Sequence, residues 1–199
     1  MLTMDLLRHG ALQGGVKYRG HVDDPLTLEG RSRMDKAWAE IKGNINLIIS
    51  SPLSRCAEPA LDWARQSDIE CIIEPRVREM YYGDWEGKTI PEIQQQYPGI
   101  LEQWRSNPEG MRPPGGESPE ELRQRIAEWW TETCIEYDER QILLVSHSGA
   151  LRMLIAHILA APIASTRHLE MPYACRSRLS YHNGKNSLLF HNSNPLASE

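Results

Sequence analysis

At 199 residues with a formal net charge of −5, the chain is long enough for one domain with a substantial core, and it lacks the basic footprint of a general nucleic-acid binder. No apolar run reaches membrane-spanning length, and no basic N-terminal region precedes a signal-like apolar segment, so the sequence predicts a cytoplasmic protein with no membrane contact. Cys56, Cys71, Cys134 and Cys175 are widely spaced with no Cys-x-x-Cys pair, a pattern of reduced thiols rather than of disulfides or zinc.

Strand and helix patterns alternate along the chain, which predicts an α/β sheet protein. Met4-Asp5-Leu6-Leu7 is a short apolar run without helical period, ending in Arg8-His9-Gly10, and reads as a buried strand. Gly10 permits a sharp turn and a close backbone approach. Pro25-Leu26-Thr27 leads into a helix with Thr27 as N-cap and Met34, Ala37, Trp38 and Ile41 on one face, closed by Lys42 and a C-cap at Gly43. Leu47 to Ser50 predicts a strand, Ser54 to Gln66 a helix, and Ile69 to Glu74 a further strand. The stretch 80–117 is rich in Tyr, Trp, Gly and Pro, with a short helical segment at Pro91 to Gln96, and reads as a lid over the ligand-binding edge of the sheet. Ser118-Pro119-Glu120-Glu121 is a capping box that opens a helix in which Trp129 and Trp130 are core residues. Gln141 to Ser146 is a strand running into His147-Ser148-Gly149 and a helix over Ala150 to Leu159. Leu179 to His182 and Ser187 to His191 flank Asn183-Gly184, a hairpin pattern, and Asn192 to Glu199 reads as a loose tail.

Two strands therefore end in histidine followed closely by glycine. In a parallel sheet the C-terminal strand ends share one edge, where open α/β sheets bind ligands, so His9 and His147 are expected to be neighbours. Ser51-Pro52-Leu53-Ser54-Arg55 brings Arg55 to the same edge at the start of a helix. Two arginines, two imidazoles and helix N-termini make a compact site for a dianion.

These segments, together with Glu79 and Tyr82-Gly83-Asp84-Trp85-Glu86-Gly87, resemble the histidine phosphatase (phosphoglycerate-mutase-like) superfamily, in the same order and over nearly the whole chain. Pro25 to Gly30 and Pro114 to Ser118 resemble further family segments. The resemblance implies a three-layer α/β/α sandwich and a phosphate monoester substrate, with no metal or other cofactor. It implies that His9 is the nucleophile and that Arg8, Arg55 and His147 clamp the phosphoryl oxygens. Glu79 is then the acid for the leaving oxygen and the base for water. Gly10, Arg19, Gly20 and Ser148 join the substrate contacts. Glu86 is expected to be structural, and His21 either faces the substrate or is a solvated loop residue. His157, His168, His182 and His191 lie outside any motif and are assigned to surface or packing, and Asp23-Asp24 to a turn.

The segments Arg19-Gly20-His21 and Glu79 to Glu86 are most similar to the α-ribazole phosphatase family, which implies hydrolysis of α-ribazole 5′-phosphate or its cobalamin phosphate form. Two departures stand against the family pattern. Leu12 and Gly15 occupy places where the superfamily has Thr or Ser and often Asn, leaving Gln13 or a backbone N–H as replacement. Pro59 falls inside the helix after Arg55 and predicts a late start or a kink there. Three readings follow: a phosphomonoesterase, a mutase that returns the phosphoryl group to another oxygen, and a non-catalytic phosphoryl-binding module. A homodimer is the base-rate expectation for the assembly.

Overall fold

A computed structural model describes residues 1–193 of the chain. Six strands form one sheet in the order β3-β2-β4-β1-β5-β6. They are β1 (Leu2–Arg8), β2 (Leu47–Ser50), β3 (Cys71–Ile73), β4 (Gln141–Ser146), β5 (Arg176–His182) and β6 (Lys185–Ser193). The first four run parallel, while β5 is antiparallel to β1 and β6 to β5. Helices α1 (Leu28–Ile41), α2 (Ser54–Ser67), α3 (Ile90–Gln96), α4 (Ile100–Ser106), α5 (Pro119–Glu136) and α6 (Ser148–Ile158) complete the fold.

The two-residue period of the strands divides the core between the faces of the sheet. Leu6, Leu47, Ile49, Ile142 and Leu144 pack with Leu122, Ile126 and Trp129 of α5 and with Leu151 and Leu154 of α6. Their neighbours Leu7, Ile48, Leu143 and Val145 pack on the opposite face with Met34 and Trp38 of α1 and with Ala60 and Trp63 of α2. This is the expected three-layer sandwich around a mostly parallel sheet. Trp129 and Trp130 are both buried, as the sequence predicts.

Local chemistry explains most boundaries. Thr27 accepts the Gly30 N–H at 2.9 Å and starts α1. Ser118 and Glu121 form the expected capping box of α5. Asn183 and Gly184, both at positive φ, make the two-residue turn between β5 and β6.

Other expectations are corrected. Gly43 is not a left-handed cap: α1 ends at Ile41 with Lys42 as its C-cap, and Gly43 lies in a 3₁₀ turn, Lys42–Asn44. The strand expected over Ile69 to Glu74 shrinks to Cys71–Ile73, because Glu74 instead accepts the Arg76 N–H and caps the 3₁₀ turn Pro75–Val77. Helix α6 starts two residues earlier than read, at Ser148. Helix α2 starts at Ser54 and runs through the buried Pro59, so the late start is corrected, and the helix forgoes the backbone bond that this residue cannot donate. Of the expected tail, Asn192 and Ser193 belong to β6, and the remainder lies outside the described residues. The stretch 80–117 carries α3, α4 and its own small core of Trp85, Ile93 and Leu101.

One buried charge was not expected. Asp5, in the middle of the central strand β1, is 2% exposed. Arg176 and Arg178 of the adjacent β5 hold its carboxylate at 2.8 and 3.0 Å. Removing one partner of such a buried cluster strands the others in a poorly solvated place. Asp5→Ala is expected to lower the unfolding free energy by about 3 kcal/mol. Urea denaturation checks this, and an unchanged midpoint would show the cluster to be dispensable.

Candidate active site

The last register pair of β1 and β4 is Arg8 with Ser146, so the next residues, His9 and His147, emerge side by side at one sheet edge. Their ring centroids lie 5.2 Å apart. The His9 Nδ1 sits 2.8 Å from the Gly10 carbonyl. A carbonyl only accepts, so Nδ1 carries the proton and the Nε2 lone pair is free. Burial, followed by the charges of Arg8 and Arg55, holds His9 well below the ordinary imidazole value. The ring is a neutral imidazole with one unprotonated nitrogen, the form a nucleophile requires.

Gly10 itself is fixed by packing. A Cβ there would stand 2.2 Å from the Gly30 carbonyl oxygen in the first turn of α1. Its contribution is to orient His9 through its carbonyl.

Beside His9, the Arg8 guanidinium lies with its central carbon 4.0 Å from the Tyr173 ring centroid and donates to the Met171 carbonyl. Its Nε is buried without a hydrogen-bond partner among the described residues. Burial lowers Arg8 from the usual guanidinium value.

Glu79 is 5% exposed. Its carboxylate accepts the N–H groups of Met80 (2.9 Å), Gly149 (2.9 Å) and Ala150 (3.2 Å). The N-terminus of α6, expected to receive a ligand anion, thus holds a carboxylate of the protein. A Cβ at residue 149 would lie 2.4 Å from Glu79 Oε1, which accounts for glycine at that position. The same substitution of protein for ligand occurs at α2, where Asp23 accepts the Ser54 N–H at 2.8 Å.

Arg55 and His147 lie behind this group rather than at its surface. Arg55 donates to the carbonyls of Gly20 (2.6 Å) and Val22 (2.8 Å) and through Nε to His147 Nδ1 (3.2 Å). Because an arginine N–H only donates, His147 Nδ1 accepts, and its Nε2–H is then directed at Ser51 Oγ, 2.7 Å away. Both are 1% exposed or less, and the polar atoms named above are engaged within the protein. Arg55 acts on His9 by charge.

Arg19 lines the cavity, but its guanidinium is bound to Asp24 (2.6 Å) and to the carbonyls of Gln13 and Gly15. Gly20 makes no cavity wall: its N–H goes to Glu86, and a Cβ would meet the Met80 carbonyl oxygen at 2.0 Å. Glu86 is structural, accepting N–H groups from Gly20, His21, Val22 and Tyr82. His21 packs on Tyr81 and meets the Glu79 carbonyl at 3.2 Å.

A cavity of about 230 Å³ opens over Arg8, His9, Glu79, Ser148 and Tyr173. Leu12 gives it an apolar wall, and Lys17, paired with Asp24 at 2.7 Å, brings a further cation. Gln13 does not replace the missing polar contacts, since its amide donates to the Leu26 carbonyl. Gly15 has positive φ and open space where a side chain would be.

Residues 4–194 match the model of the histidine phosphatase superfamily, branch 1. The chain belongs to that superfamily. It is 27% identical over 177 residues to the adenosylcobalamin/alpha-ribazole phosphatase of Escherichia coli, covering 87% of both chains. It is 31% identical over 185 residues to a probable phosphoglycerate mutase of Salmonella choleraesuis, covering 91% of this chain and 86% of the relative. The crystal structure of the alpha-ribazole phosphatase from Shigella flexneri superposes with a TM-score of 0.87 at 27% identity, with 99% of each chain covered.

Within this histidine phosphatase fold, the sequence motifs do converge: Arg8, His9, Glu79 and Ser148 share one cavity, with Arg55 and His147 packed directly behind. Sequence reading missed Tyr173, whose ring centroid is 5.7 Å from that of His9. It stands in a turn, Met171 to Cys175, without a motif, and is brought in by the backbone bonds Ala174 N–H to His9 O and Arg8 N–H to Cys175 O and by the contacts of Arg8 with this turn. Ser51 and Asp23 were quoted in the sequence without these roles.

His9 and His147 are both buried with their protonation disfavoured. An unfolded histidine titrates near 6.5, so below that pH the unfolded chain takes up protons that the folded chain refuses. Stability is therefore full above about pH 6.5 and is lost as pH falls, by up to about 1.4 kcal/mol per pH unit for each ring. Urea unfolding from pH 7 to pH 5 is expected to show this slope, and a shallower one in His9→Gln.

Proposed function

We propose that the protein is a phosphomonoesterase that works through a phosphohistidine at His9. The observation that carries this reading is the His9 ring itself: it lines the cavity, its Nδ1–H is committed to the Gly10 carbonyl, and its Nε2 makes no hydrogen bond among the described residues. A phosphate ester in the cavity places phosphorus before Nε2 and its oxygens beside Arg8, whose unpartnered Nε finds an acceptor there.

The Nε2 lone pair attacks phosphorus while the bond to the ester oxygen breaks. Glu79, entering this step as the carboxylic acid, gives its proton to the departing alkoxide and is left as the carboxylate. Water then attacks the phosphohistidine, Glu79 takes its proton, and inorganic phosphate leaves with His9 neutral again. The three backbone N–H groups on the Glu79 carboxylate hold it in place for both steps. The neighbouring cations offset the charge of the transferring group, which is the main demand of phosphoryl transfer.

At a finer level we infer that α-ribazole 5′-phosphate is among the substrates. The names of the Escherichia coli and Shigella flexneri relatives and the motif from Glu79 to Glu86 support this. A mutase is the second reading, favoured by the 31% identity to the probable phosphoglycerate mutase. Products separate the two: a phosphatase releases inorganic phosphate, a mutase returns an isomerised ester.

In a turnover screen of phosphate esters that includes α-ribazole 5′-phosphate, wild type is expected to release phosphate. Glu79→Gln is expected to lower kcat by about 10²–10⁴-fold. His9→Ala should lose more, because the covalent route disappears. Undiminished turnover in His9→Ala would remove the phosphohistidine from the account.

A further inference from the structure

The catalytic cavity is not the larger opening on this edge. A second cavity of about 470 Å³ adjoins it, sharing the walls Tyr18 and Tyr82. The boundary falls at Glu79: the next residue, Met80, and Gly149, whose N–H donates to the Glu79 carboxylate, both line the second cavity. In an in-line transfer the leaving oxygen departs away from the His9 nitrogen and toward the residue that protonates it. The body of the leaving group then extends past Glu79, where this second space lies.

Two kinds of surface line that space. One is aromatic and apolar. Tyr18 and Tyr82 meet edge to face with centroids 5.1 Å apart, and Trp104 is braced by the buried Trp85 at 5.5 Å. The other is cationic. Arg105 and Arg152 line the cavity, and neither makes an ion pair among the described residues. Arg152 uses its Nε on the Leu169 carbonyl at 2.7 Å, which holds the side chain while its terminal nitrogens find no partner among the described residues. Arg167, by contrast, is occupied with the carbonyls of Arg105 and Ser106 and ties α4 to the turn Ile163–His168. His168, assigned from sequence to surface or packing, also lines this space.

We propose that this cavity is the leaving-group subsite and that it selects phosphomonoesters whose leaving group joins an aromatic or apolar body to a second anionic group. The proposal rests on the phosphomonoesterase reading, not on α-ribazole 5′-phosphate as the preferred substrate. α-Ribazole offers an aromatic body without a second anion, so a charged ester is expected to outpace it. A pocket of this size suits a drug-sized organic group, and a guanidinium without a carboxylate partner is matched by a carboxylate or a phosphate.

The test uses three aryl phosphates: one bearing a carboxyethyl side chain, its primary amide, and one bearing a second phosphate in the same place. Wild type is expected to show kcat/KM roughly tenfold higher for the carboxylate than for the amide, carried by KM, as one charged hydrogen bond supplies. The third ester tells whether carboxylate or phosphate is the better match. In Arg105→Gln and Arg152→Gln the ratio of carboxylate to amide should fall toward one. That ratio is internally referenced, so a general loss of activity does not imitate the effect.

Equal kcat/KM for carboxylate and amide in wild type overturns the proposal, as does a ratio that survives in both variants. Calorimetric binding of the two free phenols reads the same preference without chemistry. If His9→Ala keeps its turnover, the phosphohistidine reading fails, and the phenol binding ratio alone then decides the subsite.

Discussion

The bond from His9 Nδ1–H to the Gly10 carbonyl sets what this site can do. It fixes the tautomer, and so decides which ring nitrogen meets the cavity. The bond is held by backbone packing. The chain after β1 and the first turn of α1 approach so closely that a Cβ at Gly10 or Gly30 would fall within 2.3 Å of the other segment's backbone. Thr27, which caps α1, binds its own N–H to the Ala11 carbonyl and closes the same contact. A local hydrogen bond at the reactive residue therefore depends on two glycines and a helix cap up to twenty-one residues away in the sequence.

The fold also uses its own carboxylates where a simpler account would place a ligand. Glu79 occupies the N-terminus of α6, and Asp23 that of α2. Glu86 gathers four backbone N–H groups and joins the loop after β1 to the segment over the cavity. The amide groups at these helix ends position acid residues of the protein itself. The buried Arg55 is anchored by the loop that Glu86 secures, since it donates to the Gly20 and Val22 carbonyls. Its charge reaches His9 from behind and helps to keep the ring neutral. Cys56 lies 3.7 Å from His147 Nε2, but burial pushes its thiol pKa upward, so it is an uncharged neighbour.

Features written in local sequence were legible before the structure. The Thr27 cap, the capping box at Ser118 and Glu121, and the turn at Asn183-Gly184 each depend on a few adjacent residues. The meeting of His9 and His147 was legible for a topological reason: parallel strands deliver their C-terminal ends to one edge. What failed was set by distant partners. The strand containing Asp5 reads as plainly apolar, and only β5 supplies the arginines that admit a carboxylate there. The internal bonds of Arg55 had no local pattern to announce them, since their carbonyl acceptors lie thirty-three and thirty-five residues away. Gly43 looked like a cap because glycine follows a helix, yet the chain tightens into a 3₁₀ turn instead. Tyr173 carries no motif and enters through backbone pairing of its turn with β1.

The central claim is that His9 Nε2, freed by the bond at Nδ1, accepts a phosphoryl group. The most direct measurement is to mix the protein with a phosphate ester labelled at phosphorus, quench in alkali, where phosphohistidine persists, and map the label by peptide mass spectrometry. The account predicts label on the peptide carrying His9, attached to the imidazole, and none in His9→Gln. Phosphate release by wild type with no label on His9 at any time, or with label on another residue, would contradict it.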